Sequence, residues 1–171
     1  MAPFVGCCSA MLWIAGHTPP HPTPPLAWQV RHEAGEALGA IGTPECLEPL
    51  REHLDDPVPE VAHTCQLALQ RIEHFAAQAV TTAASADESR YLSVDPTPAA
   101  PASTPLPELE ACLLDETQPI FQRYRALFAL RNRGGPEAVA ALAAAFGCGN
   151  SALLKHEVAY VLGQMQVGAL R

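Results

Sequence analysis

The stretch VRHEAGEALGAIG, residues 30–42, joins a histidine-glutamate pair to an apolar run. Apolar residues three and four positions apart are typical of one face of an α-helix. A second stretch, LKHEVAYVLGQMQ at residues 154–166, repeats the pair, and in both stretches Leu-Gly follows six and seven residues after the histidine. One pattern at two places predicts a repeated helical unit.

The spacing of the matches gives the length of that unit. Shifted by 31 residues, His32 meets His63, and shifted by 124, four times that period, it meets His156. A helix pair of about 31 to 33 residues is the unit of an α-solenoid, in which each unit buries its apolar face against its neighbours. The pattern predicts an outer helix at residues 45–54 and an inner helix at residues 61–72. No run alternates with the period of a β-strand, so the predicted fold is all-α.

Prolines divide the chain. Residues 1–29 lack both the basic region of a signal peptide and the length of a membrane anchor, so we expect an unstructured leader there. Two helical lobes are expected at residues 30–75 and 108–171, joined by a Pro/Ala/Ser-rich linker at residues 76–107. Within that linker, YLSVDP at residues 91–96 is predicted to dock on a helical surface.

Charge and cysteine content restrict the class of partner and the compartment. Ten Lys and Arg against 18 Asp and Glu give a net charge of −8, which argues against a nucleic acid or a membrane and favours a basic protein segment. The six cysteines include no C-x-x-C pair, which favours reduced thiols in a cytoplasmic protein, with secretion as the minor alternative. Cys65, Cys112 and Cys148 are interpreted as small core residues rather than nucleophiles.

The two His-Glu pairs are candidate metal ligands. Adjacent residues lie about 100° apart around a helix, so His32 and Glu33 offer two ligands from one turn. Imidazole with carboxylate suits iron, manganese or zinc. A zinc protease helix is disfavoured, because Glu36 and Tyr160 stand where H-E-x-x-H needs its second histidine. The competing interpretation is a helix cap or a surface pair, since the helix dipole alone favours a glutamate at a helix start, but two pairs in register with a repeat favour a metal.

Neighbouring positions qualify this hypothesis. His63 lies at the repeat position of His32 but precedes Thr64, so it lacks a carboxylate partner and is interpreted as structural or exposed. Gly39 and Gly163 each disfavour a helix by about 1 kcal/mol relative to Ala. Both glycines therefore predict close packing against another helix or another spatial need.

Residues 30–166 resemble deoxyhypusine hydroxylase, a family of HEAT-like repeat proteins. The resemblance is specific, because ordinary HEAT-like repeats do not carry His-Glu before an inner helix with this Leu-Gly spacing. The motifs that carry it are VRHEAGEALGAIG (30–42), CQLA (65–68), YLSVDP (91–96), RYRALFALRN (123–132) and SALLKHEVAYVLGQMQ (151–166).

The resemblance implies a HEAT-like α-solenoid in two short lobes, with four His-Glu motifs forming a non-haem di-iron centre between them. It implies two Fe(2+) per complete site, molecular oxygen as co-substrate, and hydroxylation of the deoxyhypusine side chain of translation initiation factor 5A to hypusine. His32 and Glu33 match the second motif as iron ligands, and His156 matches the third motif as an iron ligand. Glu157 matches the residue that meets the substrate amine. No catalytic residue beyond the metal site is implied.

The sequence departs from the family in its number of motifs. The first motif is expected one repeat before His32 and the fourth one repeat after His156, and neither occurs in the sequence. Three of the six implied iron ligands are present, so we expect impaired activity. The alternatives are a non-catalytic HEAT-like module that binds a basic protein partner, and a HEAT-like lyase acting on a tetrapyrrole, for which the His-Glu pairs are not needed.

Overall fold

The regular elements of the protein are helical, which confirms the all-α prediction. The computed structural model describes residues 27–81, 91, 93–149 and 151–165. The chain divides into two compact units, Met1–Ala84 and Ser85–Arg171. The helices are α1 (Ala27–Ile41), α2 (Leu47–Arg51), α3 (Pro59–Thr81), α4 (Leu106–Leu114), α5 (Ile120–Arg133), α6 (Gly135–Ala144) and α7 (Ala152–Met165), with 3₁₀ turns at Pro44–Cys46 and Ala145–Gly147.

The core of the first unit lies between α1 and α3, its most extensive helix pair. The apolar stripe predicted for residues 61–72 is buried there, which confirms the inner helix. Leu38 of α1 and Leu50 of α2 are fully buried against this stripe. The stripe consists of Val61, Cys65, Ala68, Leu69 and Ile72.

Gly39 permits the close approach of α1 to α3. A β-carbon added at Gly39 would lie 2.7 Å from the Ala68 Cβ atom and 3.1 Å from its Cα atom. The packing predicted at this glycine is confirmed. Close helix packing is not found at Gly163, where an added β-carbon would meet no atom within 4 Å in the part of the chain that the structure describes. Helix propensity alone does not explain that glycine.

The predicted outer helix at residues 45–54 is shorter than expected. Pro44 opens a 3₁₀ turn, and α2 ends at Arg51 after five residues. Pro49 limits where α2 can begin: it has no amide hydrogen to donate to the residue four positions earlier and is tolerated only within the first turn of a helix, and it is the third residue of α2. Gly42, with φ of 69°, ends α1 by donating its amide to the Leu38 carbonyl at 3.0 Å.

The element bounds differ from the expected lobe boundaries. Helix α1 begins at Ala27, inside the predicted leader, and α3 runs to Thr81, inside the predicted linker. The boundary between the units falls in that linker, after Ala84. Residues 1–26 of the predicted leader lie outside the described residues.

The linker segment around Asp95 is attached to the second unit, which confirms the predicted docking of YLSVDP for its described residues. Arg131 of α5 is fully buried and donates to both carboxylate oxygens of Asp95, at 2.8 and 2.5 Å. The ring of Tyr91 stacks on the Arg131 guanidinium, 4.5 Å from centroid to Cζ. Gln164 of α7 accepts from Arg131 at 2.9 Å and donates to Ser93 at 3.1 Å. One arginine thus connects the segment to α5 and α7.

None of the described helices has the length and apolar character needed to cross a membrane.

We predict that Gly39→Ala destabilises the protein, whereas Gly163→Ala does not. Crowding at Ala68 should cost about 1 to 3 kcal/mol, which exceeds the gain of about 1 kcal/mol in helix propensity. Gly163→Ala should show that gain without crowding. Thermal unfolding followed by circular dichroism measures both, and Gly39→Ala/Ala68→Gly should restore the melting temperature. An unchanged or raised melting temperature for Gly39→Ala would contradict the packing described.

Removing Arg131 should destabilise the second unit strongly. Arg131→Met leaves the carboxylate of Asp95, whose side chain is 17% exposed, without its ion-pair partner. Loss of one member of a buried pair costs about 3 to 5 kcal/mol. Arg51→Met is the control, since Arg51 and Glu48 form an exposed pair at 3.8 Å and such pairs contribute about 0 to 1 kcal/mol. Urea unfolding compares the variants, and equal small effects would refute the role of Arg131 as an anchor.

Candidate metal centre

Both His-Glu pairs lie in the second turn of their helices. His32 is the sixth residue of α1, and His156 is the fifth residue of α7. Helix capping and the dipole act on the first turn, where α7 instead has Ser151, whose hydroxyl accepts from the Leu154 amide at 3.1 Å. The interpretation of the pairs as helix caps is therefore not supported, because neither histidine lies in the first turn.

The imidazole of His32 is buried between α1 and α3. His32 is 8% exposed, and its Nδ1 atom lies 2.6 Å from the hydroxyl of Thr64, which is 3% exposed. The Thr64 hydroxyl donates to the Glu60 carbonyl at 2.8 Å. The other ring nitrogen, Nε2, lies 3.5 Å from the carboxylate of Glu36, one turn further along α1.

Three ligand-type side chains meet on this surface of α1. Ligand atoms of His32, Glu33 and Glu36 all lie within 4.8 Å of one another. Glu33 is exposed and Glu36 is half-buried, so the carboxylates border solvent while the imidazole is held in the interior. Among the described residues, no other group of three or more His, Cys, Asp or Glu has this arrangement.

An ion pair holds Arg31, the residue that precedes His32 on α1. Arg31 donates to both carboxylate oxygens of Asp56, at 3.0 and 3.1 Å, and Asp56 also accepts from the Val58 amide at 2.9 Å. Burial by itself raises the pKa of Asp56, but the hydrogen bonds from Arg31 and Val58 and the charges of Arg31 and His53 outweigh it. The pKa of Asp56 therefore lies below its usual value. The pair ties α1 to the turn before α3.

The second pair has the opposite pattern of exposure. His156 is exposed, and Glu157, the next residue of α7, is only 7% exposed. Neither belongs to a group of three or more ligand-type side chains within the described residues. The structure thus assembles donors around His32 but not around His156.

Most residues interpreted as structural from the sequence agree with the structure. His63 is partly exposed on α3 and is not part of the donor group. Burial and the nearby charge of Asp56 raise the pKa of the Cys65 thiol to about 11, and burial raises the pKa of Cys112. Thiols with raised pKa values are poor nucleophiles. Cys65 and Cys148 are buried as predicted, whereas Cys112 is only partly buried, so its prediction as a core residue is wrong. The described cysteines, Cys46, Cys65, Cys112 and Cys148, are free.

The donor chemistry around His32 fits a divalent transition metal. One imidazole nitrogen and two carboxylates form a mixed nitrogen and oxygen set, which iron, manganese and zinc accept. The Thr64 contact at Nδ1 leaves Nε2 facing the carboxylates. Proteins commonly orient a ligand histidine through a hydrogen bond that it donates from the ring nitrogen that does not bind the metal.

Two residues of this site are not among those that the sequence predicts. In the sequence, Glu36 serves only to exclude H-E-x-x-H, although its position four after His32 places the two side chains on one helix face. Thr64 is distinguished there only by the carboxylate that it lacks. Its partnership with His32 joins two helices at a sequence separation of 32 residues, and no local pattern indicates such a contact.

Comparisons with known proteins define the class. A family model of HEAT repeats matches residues 26–93, and a model of the PBS lyase HEAT-like repeat matches residues 122–148. With the helices described above, these matches make the chain an all-α protein of HEAT-like repeats.

Relatives specify the family. The chain is 56% identical to deoxyhypusine hydroxylase of Danio rerio and 57% identical to that of Homo sapiens, each over 137 residues or 80% of this chain. It is 49% identical over 139 residues to deoxyhypusine hydroxylase of Arabidopsis thaliana. A solved structure of human deoxyhypusine hydroxylase in complex with glycerol matches with a TM-score of 0.80 and 49% identity, over 95% of this chain and 52% of that chain. The chain belongs to the deoxyhypusine hydroxylase family.

The match covers only part of each relative. The chain spans 44% of the length of the Danio rerio protein and 43% of the Homo sapiens protein.

The ion pair beside the site predicts acid sensitivity. A carboxyl whose pKa is lowered by folding contributes stability that is present above its unfolded pKa, about 3.9, and is lost as the pH falls through the folded value. We expect the melting temperature to fall as the pH is lowered from about 6 to about 3, measured at intervals of about one pH unit. Asp56→Asn should lower it at neutral pH and show a smaller acid-induced decrease. Identical decreases in the two proteins would contradict a stabilising role of ionised Asp56.

Proposed function

We propose that this chain takes part in the iron- and oxygen-dependent hydroxylation of the deoxyhypusine side chain of translation initiation factor 5A, which gives hypusine. The observation that carries the proposal is the meeting of His32, Glu33 and Glu36 on one turn of α1, with the imidazole held from behind by Thr64. Membership of the deoxyhypusine hydroxylase family supports the reaction and its substrate.

The proposed roles follow from the family resemblance. His32 and Glu33 bind iron from α1, His156 binds iron from α7, and Glu157 contacts the amine of the substrate. The buried ring of His32 suits a fixed ligand, because it has little freedom to lose when it binds metal. The exposure of His156 keeps its imidazole accessible.

Charge supports a cationic substrate. The chain has a net charge of −8, and acidic surfaces attract cationic groups over distances of roughly 10 Å at moderate salt. Deoxyhypusine carries a polyamine-like cationic arm. An acidic protein with carboxylates beside its metal ligands is suited to bind that arm.

The chemistry of the reaction defines what the residues must hold. Bound iron, two Fe(2+) per complete site, supplies the activation of molecular oxygen. One oxygen atom enters a C–H bond of the substrate as a hydroxyl group, and the other leaves as water, which takes two electrons from an external reductant. The protein side chains hold the metal, orient the amine and keep competing ligands away. No further catalytic side chain is proposed.

We also propose a cytoplasmic location. Cys46, Cys65 and Cys148 are buried and free, and Cys112 is free as well. Thiols that remain unpaired in a stable core are compatible with a reducing compartment.

The proposal predicts that replacing any of the proposed iron ligands lowers the iron content of the protein. His32→Ala and Glu33→Gln should reduce the iron content of protein purified under anaerobic conditions and reconstituted with Fe(2+), and His156→Ala should also reduce it. His63→Ala is the matched control, since His63 lies at the same repeat position as His32 without a carboxylate neighbour, and it should retain iron. Metal analysis gives the iron content, and hydroxylation of deoxyhypusine-bearing substrate gives activity.

Equal iron content in the His32→Ala, Glu33→Gln and His63→Ala variants would contradict the proposed ligands.

A further inference from the structure

We propose that Thr64 is a positioning residue for the metal site: its hydroxyl fixes His32 in the tautomer that carries hydrogen on Nδ1 and thereby directs the Nε2 lone pair at Glu33 and Glu36. The role of His32 as a metal ligand rests on the proposed function. The contact between Thr64 and His32 does not depend on it.

A count of hydrogens establishes the tautomer. The Thr64 hydroxyl has one hydrogen and two polar neighbours, the Glu60 carbonyl at 2.8 Å and the His32 Nδ1 atom at 2.6 Å. A carbonyl can only accept, so the hydroxyl hydrogen goes to Glu60. Nδ1 must then donate to the hydroxyl oxygen, because otherwise two lone pairs would face each other at hydrogen-bond distance. The chain Nδ1–H to hydroxyl to carbonyl is the arrangement that satisfies all three groups.

Packing keeps the Thr64 hydroxyl in this orientation. The Thr64 Cγ2 methyl lies 3.0 Å from where a β-carbon of Gly35 would stand, so it occupies the space left by that glycine on α1. Rotation about the Cα–Cβ bond would displace this methyl from its place between α1 and α3. A β-branched residue has few alternative rotamers in a helix, and the hydroxyl therefore stays under the imidazole.

This tautomer decides whether the other ring nitrogen of His32, Nε2, donates or accepts. With hydrogen on Nδ1, neutral His32 presents Nε2 as an acceptor, and the nearest carboxylate oxygen, on Glu36, is 3.5 Å away. That distance is longer than a hydrogen bond between nitrogen and oxygen. An imidazole lone pair beside two carboxylates suits a shared cation. The threonine thus selects the nitrogen that is available to metal.

This role explains the sequence at residues 63 and 64. In the repeat that follows α1, His63 and Thr64 stand at the positions equivalent to His32 and Glu33. That repeat lacks a carboxylate and instead supplies the hydroxyl that supports the neighbouring histidine. One repeat provides the ligands, and the next orients them.

The test compares Thr64→Val, which removes the hydroxyl but keeps the shape, with Thr64→Ser, which keeps the hydroxyl. Thr97→Val is the matched control, because Thr97 is 1% exposed and its hydroxyl has no hydrogen-bond partner among the described residues. The first readout is the ¹⁵N spectrum of histidine side chains in metal-free protein in alkaline buffer, with His32 assigned by its absence from His32→Gln. The second readout is the affinity for Co²⁺, measured by its visible absorption.

We expect the wild type, Thr64→Ser and Thr97→Val to show His32 with hydrogen on Nδ1, and Thr64→Val to show a mixture of tautomers. Co²⁺ affinity should fall about 10- to 100-fold in Thr64→Val and little in the others. Thr64→Ala replaces Thr64→Val if the added methyl prevents folding, with the same expectation.

An unchanged tautomer in both Thr64→Val and Thr64→Ala would overturn the proposal. A changed tautomer in a protein whose wild type binds no Co²⁺ would support the positioning by Thr64 and overturn the proposed function instead.

Discussion

The close approach of α1 to α3 is the constraint on which the first unit depends. At Gly39 the two helices come so near that a single β-carbon would collide with Ala68. One turn earlier, Gly35 leaves room for the methyl of Thr64. This spacing brings the Thr64 hydroxyl to 2.6 Å from the His32 ring. Two glycines that weaken the helix by propensity therefore create the geometry of the candidate metal site.

Burying an imidazole in a helix interface requires that its polar atoms be satisfied. An unpaired buried donor or acceptor costs about 1 to 3 kcal/mol, and the hydrogen bond to Thr64 removes that cost at Nδ1. The ion pair between Arg31 and Asp56 holds the preceding residue. His32 is thus fixed by contacts to α3 and to the turn before it. In the second unit, Arg131 joins the segment around Asp95 to α5 and, through Gln164, to α7.

The sequence predicted the parts of the molecule that follow from periodicity. The stripe from Val61 to Ile72 and the packing at Gly39 could be predicted, because helical spacing and the rarity of glycine in helices are local signals. The outer helix is shorter than the apolar pattern predicts, since Pro49 limits where it can begin and the apolar pattern continues past its last residue, Arg51. Gly163 carries the same local signal as Gly39 without the contact. The support of His32 by Thr64 could not be predicted, because it depends on how far apart two helices lie.

The central claim is that His32 binds metal through Nε2 while Thr64 holds Nδ1. The most direct measurement is a crystal structure of the iron-loaded protein, with anomalous diffraction recorded on both sides of the iron absorption edge. We predict an iron peak within bonding distance of His32 Nε2 and a carboxylate oxygen of Glu33, with Nδ1 still hydrogen-bonded to Thr64. Iron at another place in the chain, or bound to His32 through Nδ1, would contradict the account.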